Sequence, residues 1–148
     1  MPTSIDNLRE VARRCSAGEP LPASLATWLG KSLDEFLSHK RRSIEDALGL
    51  VWSRGGVPWW LDEAMRKRDA ALRELAQRFY CGQAVSRQAA AIYRAALRYA
   101  GSRWHSDCAA EQLPPEHSGT PYEWLWRAFK SGAAMPLGDR QLRHILTR

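Results

Sequence analysis

Apolar residues recur at steps of three and four along most of the chain, and the recurrence breaks at clusters of glycine, proline and serine. That pattern predicts helices joined by turns. Ser4 is placed to cap a first helix running to about Ala17, with Ile5, Leu8, Val11, Ala12 and Cys15 on one stripe. The stretch "SAGEPLP" stops it. Pro22 suits the first turn of a second helix, whose Leu25, Trp28, Leu29, Leu33, Phe36 and Leu37 form a face broad enough to predict a central core helix. Ser43 with Asp46 is expected to cap a short third helix carrying Ile44, Ala47, Leu48 and Val51, ended by Gly55 and Gly56.

Pro58 restarts the chain, and Asp62 and Glu63 are acids suited to a helix N-terminus. The fourth helix is expected to run to Phe79 or Tyr80. Its stripe is Leu61, Ala64, Met65, Leu72, Leu75, Ala76 and Phe79, with Arg68 as one basic intruder. Ser86 then caps a fifth helix reaching about Trp104, and its alanines, Ala89, Ala96 and Ala100, permit close helix packing. Residues 105–119 have paired prolines and little periodicity, and are expected to form an irregular loop. "TPYE", starting at Thr120, combines capping-box spacing with proline at the first helical position, so a sixth helix follows with Trp124, Leu125, Trp126 and Phe129. A last short helix over 140–146 is anchored by Leu142, Ile145 and Leu146. No strand alternation or internal repeat is present. The expectation is an all-α, compact single-domain bundle of about six or seven helices over residues 1–148, with no β-sheet.

Composition changes this picture in two ways. Lys and Arg number 22 against 16 Asp and Glu, so the chain carries a net charge of +6, which favours polyanionic partners. Seven tryptophans are many for 148 residues, and their large rings are expected mainly in the core or at an interface. Cys15, Cys81 and Cys108 form an odd, unpaired set that fits a reducing compartment, and the charged, amphipathic start has no apolar signal region. A cytoplasmic protein with no membrane partner is therefore expected.

Candidate chemistry is sparse. His105, Asp107, Cys108 and His117 include zinc-ligating residue types, but their spacing matches no paired signature, and a polar, solvated loop is the plainer reading. Acidic pairs such as Asp34 with Glu35 are immediate neighbours, pointing about 100° apart on a helix, so none is a two-carboxylate catalytic arrangement. No P-loop, Rossmann, nucleophile-elbow or HExxH motif occurs. The expectation is a non-enzymatic domain with no cofactor and no metal.

Arginine placement points to nucleic acid, most specifically DNA. The C-terminal pair of helices resembles a helix-turn-helix, in which the second helix reads the major groove, although the turn over 131–138 is longer than the usual three or four residues. That resemblance makes Arg140, Gln141, Arg143 and His144 the base-reading candidates. Arg66 and Arg73 on the fourth helix and Arg94 and Arg98 on the fifth are the phosphate candidates. The alternative is a protein-interaction module, a small adaptor or inhibitor, anchored by Trp59 with Arg54 nearby. In "RGGVPWW", Trp60 joins the apolar stripe and is expected in the core, whereas Trp59 aligns with Glu63, Arg66 and Arg73 on the polar side.

Overall fold

A computed structural model describes residues 3–51 and 56–148. Among them every regular element is helical and no strand occurs, so the fold class is all-α. The described helices are α1 (Ser4–Ala17), α2 (Ala23–Leu37), α3 (Ile44–Ala47), α4 (Trp59–Phe79), α5 (Val85–Gly101), α6 (Trp104–Asp107), α7 (Pro121–Lys130) and α8 (Asp139–Leu146). A single 3-10 turn, Pro115–His117, lies between α6 and α7. The chain divides into two compact units, Met1–Trp59 and Trp60–Arg148.

In the first unit, α1 is capped one residue earlier than its sequence suggests. The Thr3 hydroxyl accepts the Asp6 N–H at 3.3 Å, and the Asp6 carboxylate accepts the Thr3 N–H at 3.1 Å. This reciprocal box satisfies two donors that helix geometry leaves open. Gly18 ends α1 in the left-handed conformation (φ 66°), which costs a glycine little. Ser43 caps α3 as expected, accepting the Asp46 N–H at 3.1 Å. The segment after α3 turns at Gly49 (φ 70°), where a Cβ would stand 3.1 Å from the Ser4 hydroxyl oxygen.

The expectation of a central core at α2 is corrected. Among the described residues of this unit only Val11, Leu25, Leu48 and Leu50 are buried and apolar, while Leu33, Phe36 and Leu37 of α2 and Cys15 of α1 are exposed. The reason is geometric: α3, which packs on α2, has four residues and covers only part of a stripe that runs the length of a fifteen-residue helix. The cations here are largely neutralised by neighbours. Arg13 reaches Glu10 at 2.9 Å and Glu19 at 3.0 Å, Arg14 reaches Glu10 at 2.6 Å, and Arg41 reaches Glu35 at 2.9 Å.

The main core lies in the second unit, where Leu72 and Leu75 of α4, Ile92 and Tyr99 of α5, Leu125 of α7 and Leu142 of α8 are all but inaccessible to solvent. Ala89, Ala95 and Ala96 line the buried face of α5, and α8 packs against that helix. Small side chains permit this packing. Arg68, the intruder in the α4 stripe, is also buried. Its guanidinium spans the Asp69 carboxylate at 2.7 Å and the Ala134 carbonyl at 2.6 Å, which is how a charge is kept in the interior.

The tryptophans divide between core and surface: Trp126 belongs to the core, and Trp104 and Trp124 pack against it. Among the six described rings only Trp126 is buried, and Trp28, Trp59, Trp104 and Trp124 are half-buried. Trp60 is exposed, which overturns its placement in the core: it continues the α4 stripe, but at the helix's first turn, beyond the residues that pack.

Replacing Ala89 with leucine should destabilise the protein by about 1–3 kcal/mol in urea unfolding, because the extra methyl groups enter a filled interior. Leu97→Ala, on the open side of the same helix, should change stability by less than about 0.5 kcal/mol.

Candidate nucleic-acid interface

Helix α8 owes its orientation to two residues. Leu142 and Ile145 are buried, and in a helix of eight residues that leaves Arg140, Arg143, His144 and Thr147 on the outward arc. Together with Gln141, Leu137 and Gly138 these residues line a broad open depression, and no acidic side chain contributes to it. Arg140 meets no carboxylate within 4 Å among the described residues, and Arg143 only grazes Asp139 at 4.0 Å. A depression floored by exposed side chains suits a macromolecular surface better than an enclosed small molecule.

A second cleft adjoins the first and shares Gln141 and His144 with it. Its other wall is α4, with Asp62, Arg66, Arg68 and Asp69, and Arg148 also lines it. Here the charges are mostly internal pairs: Arg66 bonds Asp62 at 2.9 Å and Arg68 bonds Asp69. The Arg66 pair is exposed on both sides, and such pairs contribute little and exchange readily for another anion.

The candidate residues therefore separate into three places. Arg66, Arg140, Gln141, Arg143 and His144 share one continuous surface. Arg73 is half-buried in a different depression with Gln77, Cys81 and Gln88, and donates to the Ile145 carbonyl at 3.4 Å. Arg94 and Arg98 lie with Arg87 within one narrow arc of α5, exposed and without an acidic partner among the described residues. Arg148 was not singled out from sequence, because a lone terminal arginine carries no pattern.

Two details bear on base reading. Gln141 Oε1 accepts the Leu137 N–H at 3.1 Å, so its amide serves as a cap for α8 instead of projecting both a donor and an acceptor outward. And α8 seats chiefly on α5, so α7 and α8 do not form the tight pair of a helix-turn-helix.

The loop expected over 105–119 is irregular and exposed along most of its length, and the expectation is corrected at Asp107 and His117. It holds α6 and the 3-10 turn, and its Asp107 and His117 are buried, at 8% and 1% exposure. One carboxylate oxygen, Asp107 Oδ2, accepts the Tyr99 hydroxyl at 2.8 Å and meets His117 Nε2 at 2.7 Å. Burial works to raise the Asp107 carboxyl, but the hydrogen bonds from Tyr99 and His117 outweigh it and hold the group below its ordinary range. An ionised carboxylate only accepts, so the hydrogen sits on His117 Nε2. Burial, with help from Asp107, pushes the Tyr99 hydroxyl up. Trp126 Nε1 donates to the Asp107 carbonyl at 3.3 Å, and Lys130 Nζ donates to the Cys108 carbonyl at 2.9 Å. Rings of Trp104, Tyr122 and Phe129 stand within 6.1 Å of Tyr99, centroid to centroid.

This cluster holds the loop to α5 and α7. His117 is enclosed, at 1% exposure. The side chains of His105 and Cys108 are exposed, and the described residues contain no group of three or more ligands for a metal. Within the first unit, the Trp59 indole N–H donates to Glu45 Oε1 at 3.2 Å, so that ring is tied to α3, while Arg54 lies outside the described residues. No described helix is long and apolar enough to cross a membrane. No protein family model, curated protein or solved structure matches the chain.

Stability should be constant near neutrality and fall as pH drops through and below the ordinary aspartate value of about 3.8, because Asp107 is held ionised in the folded state. Asp107→Ala should cost about 1–3 kcal/mol by stranding the Tyr99 hydroxyl and His117 Nε2, and should make that acid limb shallower in urea titrations run across pH, with Glu10, Glu35 and Glu123, also held below their ordinary range, supplying the rest.

Proposed function

We propose that this protein binds nucleic acid, duplex DNA first among them, without enzymatic activity, through the outward face of α8 and the adjoining wall of α4. The observation that carries the reading is the depression around Arg140 and Arg143, which gathers basic and polar side chains and no acid. Charge distribution supports it: from Trp60 onward there are 14 Lys and Arg against 9 Asp and Glu, so this unit holds +5 of the net +6. The first unit is close to neutral.

Arg140 and Arg143 take the leading phosphate contacts, with Arg148 and His144 beside them. Arg66 joins by exchanging Asp62 for a phosphate oxygen. Because Gln141 is engaged as a cap, the surface grips the backbone more than it reads base edges, and a modest preference among sequences is the expected consequence. The arginine stripe of α5 supplies a second phosphate-tracking face, about 16 Å from Arg87 to Arg98 at 1.5 Å per residue. The free thiols at Cys15, Cys81 and Cys108 fit a cytoplasmic location. The protein-interaction reading is less favoured, since Trp59 is half-buried and its N–H is occupied.

Fluorescence anisotropy with duplex and single-stranded DNA at several salt concentrations tests this directly. Arg140→Ala with Arg143→Ala should weaken binding at low salt and reduce the slope of log K against log salt by roughly 2, with no change in melting temperature. Unchanged affinity and slope would remove α8 as the contact surface.

A further inference from the structure

Among the exposed large hydrophobic residues described, Leu137 stands out at 90% exposure, with the next, Leu37, at 70%. It is not a loose loop tip. Pro136 before it is buried, its own N–H is fixed to Gln141 Oε1 at 3.1 Å, and Gly138 after it is the cap residue from which α8 starts. The backbone on both sides is anchored and the side chain points out. Leu137 also lines the same depression as Arg140 and Arg143. An apolar knob on a fixed backbone, with Arg140 and Arg143 following it along α8 in a depression that no acidic side chain lines, has two complementary requirements in a partner: an apolar gap to receive it and negative charge beside that gap.

A DNA duplex offers both, with phosphates along the strands and stacked bases between them. We infer that Leu137 is a wedge that enters a base step and kinks the duplex, while Arg140 and Arg143 hold the phosphates next to that step. This rests on the nucleic-acid reading above. Apolar side chains inserted between base pairs bend DNA by about 20–90°, and flexible pyrimidine–purine steps are where the bend is easiest. The same insertion explains why a leucine is presented at nearly full exposure: its apolar surface is removed from water only in the complex.

The test uses the full chain and a duplex of roughly 20 base pairs carrying donor and acceptor dyes at its two ends, long enough to span such a site. Wild-type protein should raise energy transfer at saturation as the ends approach. Leu137→Ala should bind about 10-fold more weakly, the expected loss for a leucine side chain that is buried on binding. It should keep the same salt slope, because no cation is removed, and give no rise in energy transfer even at saturation. Leu137→Met should restore most of both signals. Leu137 is exposed, so none of these changes touches the core.

If the wild-type chain binds with the expected salt dependence but Leu137→Ala binds equally well, or if the duplex stays straight in the wild-type complex, the wedge is overturned while the arginine surface stands. If the wild-type chain binds no duplex even at low salt, both fall, and the anchored leucine is left to a protein pocket.

Discussion

The burial of Leu142 and Ile145 of α8 against the core in which α5 presents its alanine face is the constraint from which the candidate surface follows. A helix of eight residues has little stability of its own in water, so α8 exists because this packing holds it. With those two side chains turned inward, Arg140, Arg143 and His144 have nowhere to go but outward. The packing on α5 also sets which neighbour forms the other wall: α4, with Arg66, completes the adjoining cleft. Core packing and surface chemistry are thus one arrangement seen from two sides.

The Asp107 cluster plays a supporting part in the same unit. Residues 105–119 carry two prolines in succession and would be costly to order without specific contacts. A single carboxylate, held by Tyr99 and His117, together with the Trp126 and Lys130 bonds to the loop backbone, provides them. The cost of enclosing that charge is offset because its buried oxygen is fully hydrogen-bonded. The loop is held against the core that positions α8, and it takes no part in the basic surface.

Helices with long, regular stripes were legible from sequence: α1, α2 and α4 start and end within a residue or so of where periodicity and capping residues place them. The all-α class followed from the same signal. What escaped were α6 and the 3-10 turn, because elements of three or four residues are too short to show a period. Periodicity also says which residues share a face but not whether anything covers that face. Trp60, Leu33 and Phe36 sit on valid stripes and remain exposed, whereas Arg68 breaks its stripe and is buried with Asp69 and Ala134 as partners. At the candidate site, the outward set Arg140, Arg143 and His144 was readable from the amphipathicity of a single helix. Its union with Arg66, the capping role of Gln141 and the fixed exposure of Leu137 were not, since each depends on the tertiary path of the chain.

The most direct test of the account is a titration of isotopically labelled protein with a short duplex, followed by amide chemical shifts. The account predicts saturable, salt-sensitive shifts strongest on residues 137–148 and on α4 near Arg66, with weaker ones along the arginine stripe of α5 and the Asp107 loop unmoved. Shifts confined to the Arg87, Arg94 and Arg98 face of α5, or none that saturate at low salt, would contradict it.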